Sequence, residues 1–228
     1  MAGLTVLIPT LNEASRLSLL LADLAHWPHA LQVLVVDGGS VDATRAAATL
    51  AGASVLISPE RGRGQQLIKG MAHARYDWQL VLHADSRLGH DWTDAVKAVL
   101  LENGSEGRGW YFDLRIDAER LMLRLLEGSV ALRSSLGQRP YGDQGLLIHR
   151  SLVEAAGGYN PLPLMEDLDM VQRITAISRM QRIGCAITTS ARRWEPRGVL
   201  HQAWRNALLR RDWARGEALD LLVRRYNS

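Results

Sequence analysis

Acidic residues stand in this sequence where strands of a sheet are expected to end. Each of three groups follows an apolar run: Asp85, Asp37, and the cluster of Glu166, Asp167 and Asp169. Ligands of open α/β sheets bind just outside the carboxyl ends of the strands. Several carboxylates gathered there suggest a divalent cation, and a divalent cation suggests a phosphorylated substrate. The pattern therefore indicates an enzyme that acts on a nucleotide-bound sugar.

The segment His83-Ala84-Asp85 offers two candidate metal ligands. Side chains at positions i and i+2 of an extended chain share a face, so both could point at one ion. Carboxylate oxygens suit Mg²⁺, and Mn²⁺ also tolerates imidazole. We predict a divalent cation, Mn²⁺ or Mg²⁺, as cofactor, with Asp85 as a ligand. His83 either ligates the ion or hydrogen-bonds a phosphate or the neighbouring backbone.

Asp37 ends a second apolar run and is followed by Gly38 and Gly39. The two glycines permit a tight turn and the close approach of a ligand. A carboxylate at this point can accept hydrogen bonds from a base or a ribose. The alternative is that Asp37 only caps the helix that follows.

A basic loop, Arg61-Gly-Arg-Gly-Gln-Gln, leads into a predicted helix. Such a loop can clamp an anion at the helix N-terminus. It is not a Walker loop, because no Gly-Lys-Ser/Thr follows, and Leu67 stands where a dinucleotide fingerprint needs its third glycine. A solvated charged turn is the alternative.

The acidic cluster at 166–169 opens another predicted helix. The helix dipole alone favours acids in a first turn, so a capping role is the plain alternative. Three acids this close repel one another unless a cation or a functional task holds them. One of them could be a general base whose pKa its neighbours tune.

Strands and helices alternate in the part of the chain that must position these residues. Apolar runs bounded by turn signals predict strands at 4–8, 31–36, 53–57 and 79–82. Helices are predicted after each strand, the first capped by Thr10 or Asn12 and the second by Ser40 or Asp42. Four successive β-α units predict a parallel sheet with Pro9 ending its first strand.

The second half departs from this alternation. Strands are predicted at 109–116 and 145–149, and helices at 117–132 and 167–178. No composition break marks a linker. We predict one domain over 1–228, with a nucleotide-binding half at 1–102, an acceptor and catalytic half at 103–198, and a basic amphipathic helix at 199–228.

Three interpretations fit the segment 199–226, which carries Trp204, Trp213 and several arginines. It could pack on the body of the protein. It could rest on an anionic bilayer as a peripheral contact. It could also form the contact of a homodimer.

Composition bounds the class of protein. The chain is 47% hydrophobic and 22% charged, as soluble globular proteins are, and its net charge of +3 gives no reason to expect nucleic acid as a partner. No apolar run approaches the roughly 18 residues that cross a bilayer, and no signal peptide is evident. Cys185, the single cysteine, excludes an internal disulfide and reads as a buried strand residue. We expect a cytoplasmic protein, with peripheral contact to the inner face of the plasma membrane left open.

The motifs in order resemble the family 2 glycosyltransferases, which have the GT-A fold. They are Pro-Thr-Leu-Asn-Glu at 9–13, Val-Asp-Gly-Gly-Ser at 36–40, Arg-Gly-x-Gly at 61–64, His-Ala-Asp at 83–85 and Glu-Asp-Leu-Asp at 166–169. The match is collinear from Leu4 to about Trp194 and is most similar to a small bacterial group with the His-Ala-Asp motif. It implies an α/β fold of GT-A type: one Rossmann-like domain with a mostly parallel central sheet flanked by helices, and a C-terminal amphipathic helical segment.

The resemblance implies a role for each matching residue. Nucleotide binding would fall to Pro9, Thr10, Glu13, Asp37, Arg61, Gln65 and Ala84. Asp85 would be the last acid of the family's Asp-x-Asp motif, with His83 in place of its first acid. Asp167 would be the catalytic base, with Glu166 beside it. The acceptor and phosphate region would include Gln144, Asp169, Arg193 and Trp194.

The family's chemistry implies an inverting glycosyltransferase of the hexosyl type. A metal-assisted direct displacement would move a sugar from a nucleoside-diphosphate donor, with UDP slightly favoured, to an unknown acceptor that could be a lipid, a metabolite or a glycan. Arg192-Arg193-Trp194 resembles the tail of the Gln-x-x-Arg-Trp element of processive members, but the glutamine is absent. Polymer synthesis is therefore not expected. The alternatives are a nucleotidyltransferase, which usually has a Gly-rich loop after its first strand, and a non-catalytic sugar-nucleotide-binding or membrane-docking protein.

Overall fold

The structure, a computed structural model, describes residues 2–60, 62–193 and 198–227. Its strands are β1 Leu4–Thr10, β2 Leu31–Asp37, β3 Ser54–Ile57, β4 Trp78–Val81, β5 Ser86–Leu88, β6 Gly109–Asp117, β7 Leu146–His149 and β8 Met180–Ser190. Its α-helices are α1 Ala14–Leu24, α2 Thr44–Leu50, α3 Arg63–Ala72, α4 Trp92–Leu101, α5 Leu121–Leu136, α6 Arg150–Ala155, α7 Glu166–Ile177, α8 Val199–Ala214 and α9 Leu219–Asn227.

The strands form one eight-stranded sheet in the order β3-β2-β1-β4-β7-β6-β8-β5. The four β-α units predicted for the first half are confirmed, and the pairs β1–β2, β1–β4 and β2–β3 are parallel. From β7 onward antiparallel pairs enter, although β6 and β8 are parallel. The sheet is thus mixed but mostly parallel, and strands from both halves of the chain share it. The domain boundaries at 102 and 198 stay predictions.

Successive side chains of β1 contribute to two apolar layers, one on each face of the sheet. Leu4, Val6 and Ile8 belong to the cluster that also holds Leu17 of α1 and Trp92 of α4. Leu7 points the other way, into a cluster with Leu67 of α3 and Met170 of α7. Successive side chains of a strand face opposite sides of the sheet, so helices must cover both.

Pro9 does not end β1, as the sequence suggested; the strand runs on to Thr10. Pro9 pairs with Val36 of β2, whereas the pairing of β1 with β4 stops at Leu7 and Val81. A strand tolerates proline where no ladder hydrogen bond needs its missing N–H. Because β4 no longer pairs with β1 at Pro9, no ladder hydrogen bond from a Pro9 N–H is needed on the side of β4.

The predicted helix caps are confirmed only in part. The N-cap residues are Glu13 for α1 and Ala43 for α2, and neither makes a side-chain capping hydrogen bond. Asp42 accepts the N–H of Thr44, the first residue of α2, at 2.9 Å, whereas Asn12 and Ser40 bond to each other across the two loops and Thr10 bonds to Val36. The sequence analysis further missed β5 and α6, which are too short to show a period. Helix α5 begins four residues later than predicted, because β6 continues to Asp117.

The C-terminal segment is a pair of helices rather than the single helix predicted. Gly216, with φ of +80°, lies in the turn between α8 and α9. Leu209 and Leu222 are buried against Leu164 and Met165, just before α7. Packing on the body of the protein is therefore observed, while membrane and dimer contacts stay predictions. Within the described ranges, every helix is too short or too polar to cross a membrane.

Candidate active site

The candidate site lies at the carboxyl ends of β1, β2 and β4, where the sequence analysis expected it. Thr10 and Asp37 are the last residues of β1 and β2 and are partners in the parallel register. Asp85 lies just beyond β4, and Glu166 and Asp167 open α7. The sheet thus delivers the predicted groups to one edge, in keeping with the general rule for α/β folds.

Asp37 is fully buried, and its two carboxylate oxygens differ. Oδ2 accepts hydrogen bonds from the backbone N–H groups of Gly39 at 3.1 Å and Ser40 at 3.0 Å. Oδ1 is buried and has no hydrogen-bond partner in the described structure. Because α2 begins only at Thr44, Asp37 is not its cap. One oxygen organises the turn, and the other remains able to accept from a ligand.

The loops after β1 and β2 are bonded to each other by residues that the sequence analysis read as caps. Asn12, at a φ of +55°, donates its N–H to Ser40 Oγ at 2.9 Å and accepts from the Val41 N–H through Oδ1 at 2.9 Å. Glu13 donates its N–H to Thr44 Oγ1 at 2.9 Å. These bonds fix the position of Glu13 relative to Asp37. Their polar types were visible in the sequence, but their partners in the neighbouring loop were not.

Gln66 is a buried residue of this edge that the sequence analysis missed. Its Nε2 donates to the carbonyl oxygens of Thr10 at 2.9 Å and Val36 at 2.6 Å, so it ties together the ends of β1 and β2. The predicted Gln65 instead donates to the Glu60 carboxylate. Arg61 lies outside the described residues. The pair Gln65-Gln66 was the only sign of this residue in the sequence. The position of each glutamine around the axis of α3 decides which of the two side chains faces inward.

Asp85 lies in a turn between β4 and β5. The Ser86 N–H donates to the His83 oxygen at 3.1 Å, so the segment is not extended and the expected shared face of His83 and Asp85 is wrong. Asp85 Oδ2 is 3.4 Å from Arg192 Nη2, and the same guanidinium contacts Glu13. Arg192, which the resemblance had flagged only for its motif, neutralises two of the predicted acids.

A divalent cation fits this site only together with a phosphorylated ligand. In the parts of the chain that the structure covers, no group of three or more His, Cys, Asp or Glu side chains is placed to hold a metal. Mg²⁺ is commonly held by one or two carboxylates, with substrate phosphates and water completing its shell. Asp85, whose side chain is 11% exposed, supplies one carboxylate of that kind. The donor set is therefore compatible with a cation that arrives with a diphosphate.

Glu166 and Arg63 form an ion pair beneath the site, with 2.8 Å between Oε1 and Nε. Glu166 is 1% exposed, and burial raises the pKa of its carboxyl to about 7, with Asp167 adding to the rise and Arg63 opposing it. Burial also works against the charged form of Arg63, yet Glu166 and Asp167 raise the pKa of the guanidinium. Arg63 Nη1 lies 3.3 Å from His83 Nε2. Arg63 was missed because its partner is distant in sequence.

Asp167 is held by the turn at Gly142. Its Oδ2 accepts the Gly142 N–H at 2.7 Å, and its Oδ1 accepts the Leu168 N–H at 2.9 Å. A Cβ at position 142 would lie 2.7 Å from His83 Nε2 and 2.8 Å from Asp167 Oδ2. His83 and Asp167 therefore flank Gly142, and only glycine allows so close an approach. Met165, in a left-handed conformation with φ of +65°, sets the direction in which α7 starts.

A small cavity of about 20 Å³ lies beside these residues. Its polar lining comes from the candidate catalytic groups, and its apolar lining from the sheet and from the loop before β7; among its residues are Pro9, His83, Tyr141, Gly142, Glu166 and Asp167. Glu166 Oε2 is buried and has no hydrogen-bond partner among the described groups. A carboxylate beside an enclosed, mostly apolar space is suited to accept a proton from a bound hydroxyl.

The residues predicted for the acceptor region serve mainly internal contacts. Gln144 is 1% exposed; it accepts from Ser134 Oγ at 2.7 Å and donates to the Phe112 oxygen at 3.1 Å. Asp169 accepts from Arg173 at 2.6 Å and from Asn160 at 2.9 Å. Any effect of either on an acceptor would pass through the loops they hold. The side chain of Arg193, and Trp194 as a whole, lie outside the described residues, so all four roles stay predictions.

Part of the chain matches a known family. Residues 5–107 match the family model described as Glycosyl transferase family 2, in agreement with the resemblance read from the ordered motifs. Glycosyltransferase AglJ from Haloferax volcanii is 36% identical over 103 residues, which cover 45% of this chain and 32% of the relative. The chain thus spans about a third of the length of this curated relative. Membership of the His-Ala-Asp group stays a prediction.

Two solved structures share the fold. The mannosyltransferase PcManGT from Pyrobaculum calidifontis, in complex with GDP-Man and Mn²⁺, matches with a TM-score of 0.67 at 20% identity, over 92% of this chain and 61% of that one. S. aureus TarS in complex with UDP-GlcNAc matches with a TM-score of 0.64 at 15% identity, over 82% of this chain and 58% of that one. These matches confirm the α/β fold of GT-A type.

Proposed function

We propose, from the match of residues 5–107 to the family 2 glycosyltransferase model and from the site geometry, that this chain moves a sugar from a nucleoside-diphosphate donor to an acceptor hydroxyl. The observation that carries the proposal is the pair of acids at one edge of the sheet with different surroundings. Asp37 keeps a buried oxygen that has no hydrogen-bond partner among the described residues, whereas Asp167 borders a cavity. The first suits donor recognition, and the second suits removal of a proton from the acceptor.

Donor recognition is assigned to the ends of β1 and β2. Pro9, Thr10, Glu13 and Asp37 would hold the base and the ribose, with Ala84 beside them and with Arg61 and Gln65 along the nucleotide. A buried carboxylate oxygen without a partner costs free energy that a ligand N–H or O–H can recover. Asp37 Oδ1 is such an atom, and it supports this assignment.

Asp85 would hold a divalent cation, Mn²⁺ or Mg²⁺, together with the donor diphosphate, and His83 is the second candidate ligand. A bound cation stabilises the negative charge that gathers on the departing diphosphate. Arg192 contacts Asp85 and Glu13 in the structure. Ligation of a cation by Asp85 therefore requires Arg192 to give up its contact with Asp85, and the freed guanidinium could then pair with phosphate oxygens.

Asp167 is assigned as the catalytic base of an inverting displacement. The acceptor oxygen bonds to the anomeric carbon as the bond from that carbon to the diphosphate breaks, and the hydroxyl proton passes to Asp167. The Gly142 N–H on Oδ2 keeps the carboxylate oriented. Glu166, the second catalytic candidate, has its pKa raised to about 7 by burial and lies behind Asp167, paired with Arg63. Its proposed part is to hold Arg63 in place.

The donor base and the cellular setting follow less directly. UDP is slightly favoured on family grounds, although the two structural relatives bind UDP-GlcNAc and GDP-Man. Trp204 and Leu221 are exposed on the C-terminal helices, which suits peripheral contact with an anionic bilayer or a homodimer. A cytoplasmic location, with or without that contact, completes the proposal.

Calorimetric titration of UDP and GDP, with and without Mn²⁺, tests the proposal. Metal-dependent binding of one nucleotide is the expected result. Nucleotide binding that is equally tight with and without Mn²⁺ would contradict the role given to Asp85. Binding of neither nucleotide would contradict the transferase assignment.

A further inference from the structure

A second cavity lies next to the first, on the side away from the sheet, and we call it the basic pocket. It has a volume of about 240 Å³ and lies between α7, α8 and the loop before Tyr141. Tyr141 and Val171 line both cavities. The residues that give the basic pocket its character are Arg139, Tyr141, Leu168, Arg210, Arg211 and Trp213.

Two arginines that line the basic pocket have no ion-pair partner among the described residues. The ion pairs among the described residues give Arg211 a partner in Asp212 at 3.2 Å, but they leave Arg139 and Arg210 without a carboxylate. The Arg210 guanidinium lies 5.0 Å from the centre of the Tyr141 ring, and that of Arg133 lies 3.6 Å from it. By contrast, Arg63 and Arg192 at the donor side are both paired with acids.

The electrostatics of Arg133, behind Tyr141, agree with an excess of positive charge. Burial lowers the pKa of its guanidinium, and the nearby Arg210 lowers it further. Tyr141, Asp143 and Asp167 act in the opposite direction without reversing the shift. An anion bound among these arginines would relieve this repulsion.

We propose that the basic pocket binds the phosphate group of the acceptor, so that the enzyme glycosylates a hydroxyl on a phosphate-bearing molecule. Guanidinium groups match phosphate oxygens with paired hydrogen bonds, and an aromatic wall adds contact with the acceptor's body. This inference rests on the proposed function and names the acceptor class for the same site.

The position of the basic pocket relative to Asp167 supports this arrangement. Leu168, which follows Asp167 in α7, lines the pocket. Tyr141 precedes Gly142, whose N–H holds the Asp167 carboxylate. A molecule with its phosphate on Arg139 and Arg210 can therefore extend past Tyr141 to bring a hydroxyl to Asp167. Of the residues assigned to the nucleotide or the cation, none that the structure describes lines the basic pocket.

Calorimetric titration of the full chain with glycerol 3-phosphate, and with glycerol as the neutral match, tests the inference. We expect binding of glycerol 3-phosphate only. Arg210→Gln and Arg139→Gln should each weaken it about tenfold, the scale of one charge-assisted hydrogen bond, while Arg210→Lys keeps part of the affinity. Arg75→Gln removes the same charge from an exposed site at the opposite edge of the sheet and should bind as wild type.

Two outcomes would overturn the inference: no binding of glycerol 3-phosphate by the wild-type chain at millimolar concentration, or equal affinity in wild type and Arg210→Gln. Circular dichroism of each variant separates loss of binding from loss of folding. Dihexanoyl phosphatidic acid, titrated as a monomer, identifies the source of the phosphate. Arginine-dependent binding tighter than that of glycerol 3-phosphate points to a lipid phosphate, and equal or weaker binding points to a soluble acceptor.

Titration of the wild-type chain with UDP and GDP in the presence of Mn²⁺ separates this inference from the proposed function. Arginine-dependent phosphate binding without nucleotide binding would contradict the transferase and keep the basic pocket. Nucleotide binding without arginine-dependent phosphate binding would contradict the pocket alone.

Discussion

Arg63 and Glu166 form a buried ion pair under the candidate active site, with 2.8 Å between Nε and Oε1. The pair joins the start of α3 to the start of α7. Glu166 is 1% exposed, and its second oxygen has no partner among the described residues. Charge at this junction is therefore sensitive to pH, and the first prediction follows from it.

Glu166 should make the stability of the protein depend on pH. Burial raises the pKa of its carboxyl from 4.5 to about 7, so the folded chain holds a proton that the unfolded chain has lost between those values. The associated stability is present below about pH 4.5 and is lost as pH rises through about 7.

We expect the free energy of unfolding of wild type, relative to Glu166→Gln, to fall by about 3 kcal/mol across this window. Urea unfolding followed by circular dichroism at a series of pH values measures it. A difference between the two proteins that stays constant with pH would show that Glu166 is ionised throughout.

Gly142→Ala should reduce turnover while leaving the fold intact. The added Cβ would lie 2.7 Å from His83 Nε2 and 2.8 Å from Asp167 Oδ2, so either these side chains or the turn must shift, and either shift displaces the base from its observed contact with the Gly142 N–H. A displacement of this kind costs about 10²-fold in rate. Gly128→Ala, in α5 with open space around it, is the matched control and should keep wild-type turnover. Wild-type turnover in Gly142→Ala would mean that Asp167 need not occupy its observed position.

Gln66, rather than its neighbour Gln65, should stabilise the carboxyl ends of β1 and β2. Gln66→Met removes a buried donor from the Thr10 and Val36 oxygens, which still accept from the Gly38 N–H at 2.9 Å and the Thr10 hydroxyl at 3.4 Å, respectively. A loss of about 2 kcal/mol in the free energy of unfolding is expected. Gln65→Met removes only a contact with Glu60 and should change the unfolding free energy little. Equal effects in chemical denaturation would contradict the central place given to Gln66.

Asp85→Asn should abolish the effect of Mn²⁺ on nucleotide binding. Asp85 is the carboxylate assigned to the cation, and an amide in its place lacks the negative charge that Mn²⁺ or Mg²⁺ requires. Nucleotide titrations with and without Mn²⁺ should then coincide. Glu119→Gln changes an exposed acid by the same amount and should keep the metal effect of wild type. If Mn²⁺ still changed nucleotide binding by Asp85→Asn, the cation would have to be held by other ligands.

The parallel half of the fold could be predicted because each β-α unit carries its own signal. Apolar runs such as 31–36 and the turn residues after them are local, and the rule that parallel strands share an edge does the rest. The antiparallel entry of β7 between β4 and β6 could not be predicted, because its pairing joins Trp78 to His149, which are distant in the sequence. No local pattern records that register.

In the candidate site, too, the local features could be predicted from the sequence and the long-range contacts could not. The acids could be named from sequence, since carboxylates after apolar runs are conspicuous. Their partners could not: Arg192 and Glu13 are 179 positions apart, and Arg63 and His83 are brought together only by the packing of α3 on the sheet. Asn12 and Ser40 were read as helix caps because their hydrogen-bond partners in the facing loop are distant in sequence.

Asp167→Asn tests the central claim most directly. Donor binding by calorimetry and release of UDP or GDP from a panel of nucleotide sugars should be measured on the same preparations, with Asp94→Asn, an exposed acid of α4, as control. The account predicts wild-type nucleotide affinity and a fall in turnover of about 10²- to 10⁴-fold, the usual contribution of a general base. Turnover equal to that of wild type would contradict the assignment of Asp167 as the base.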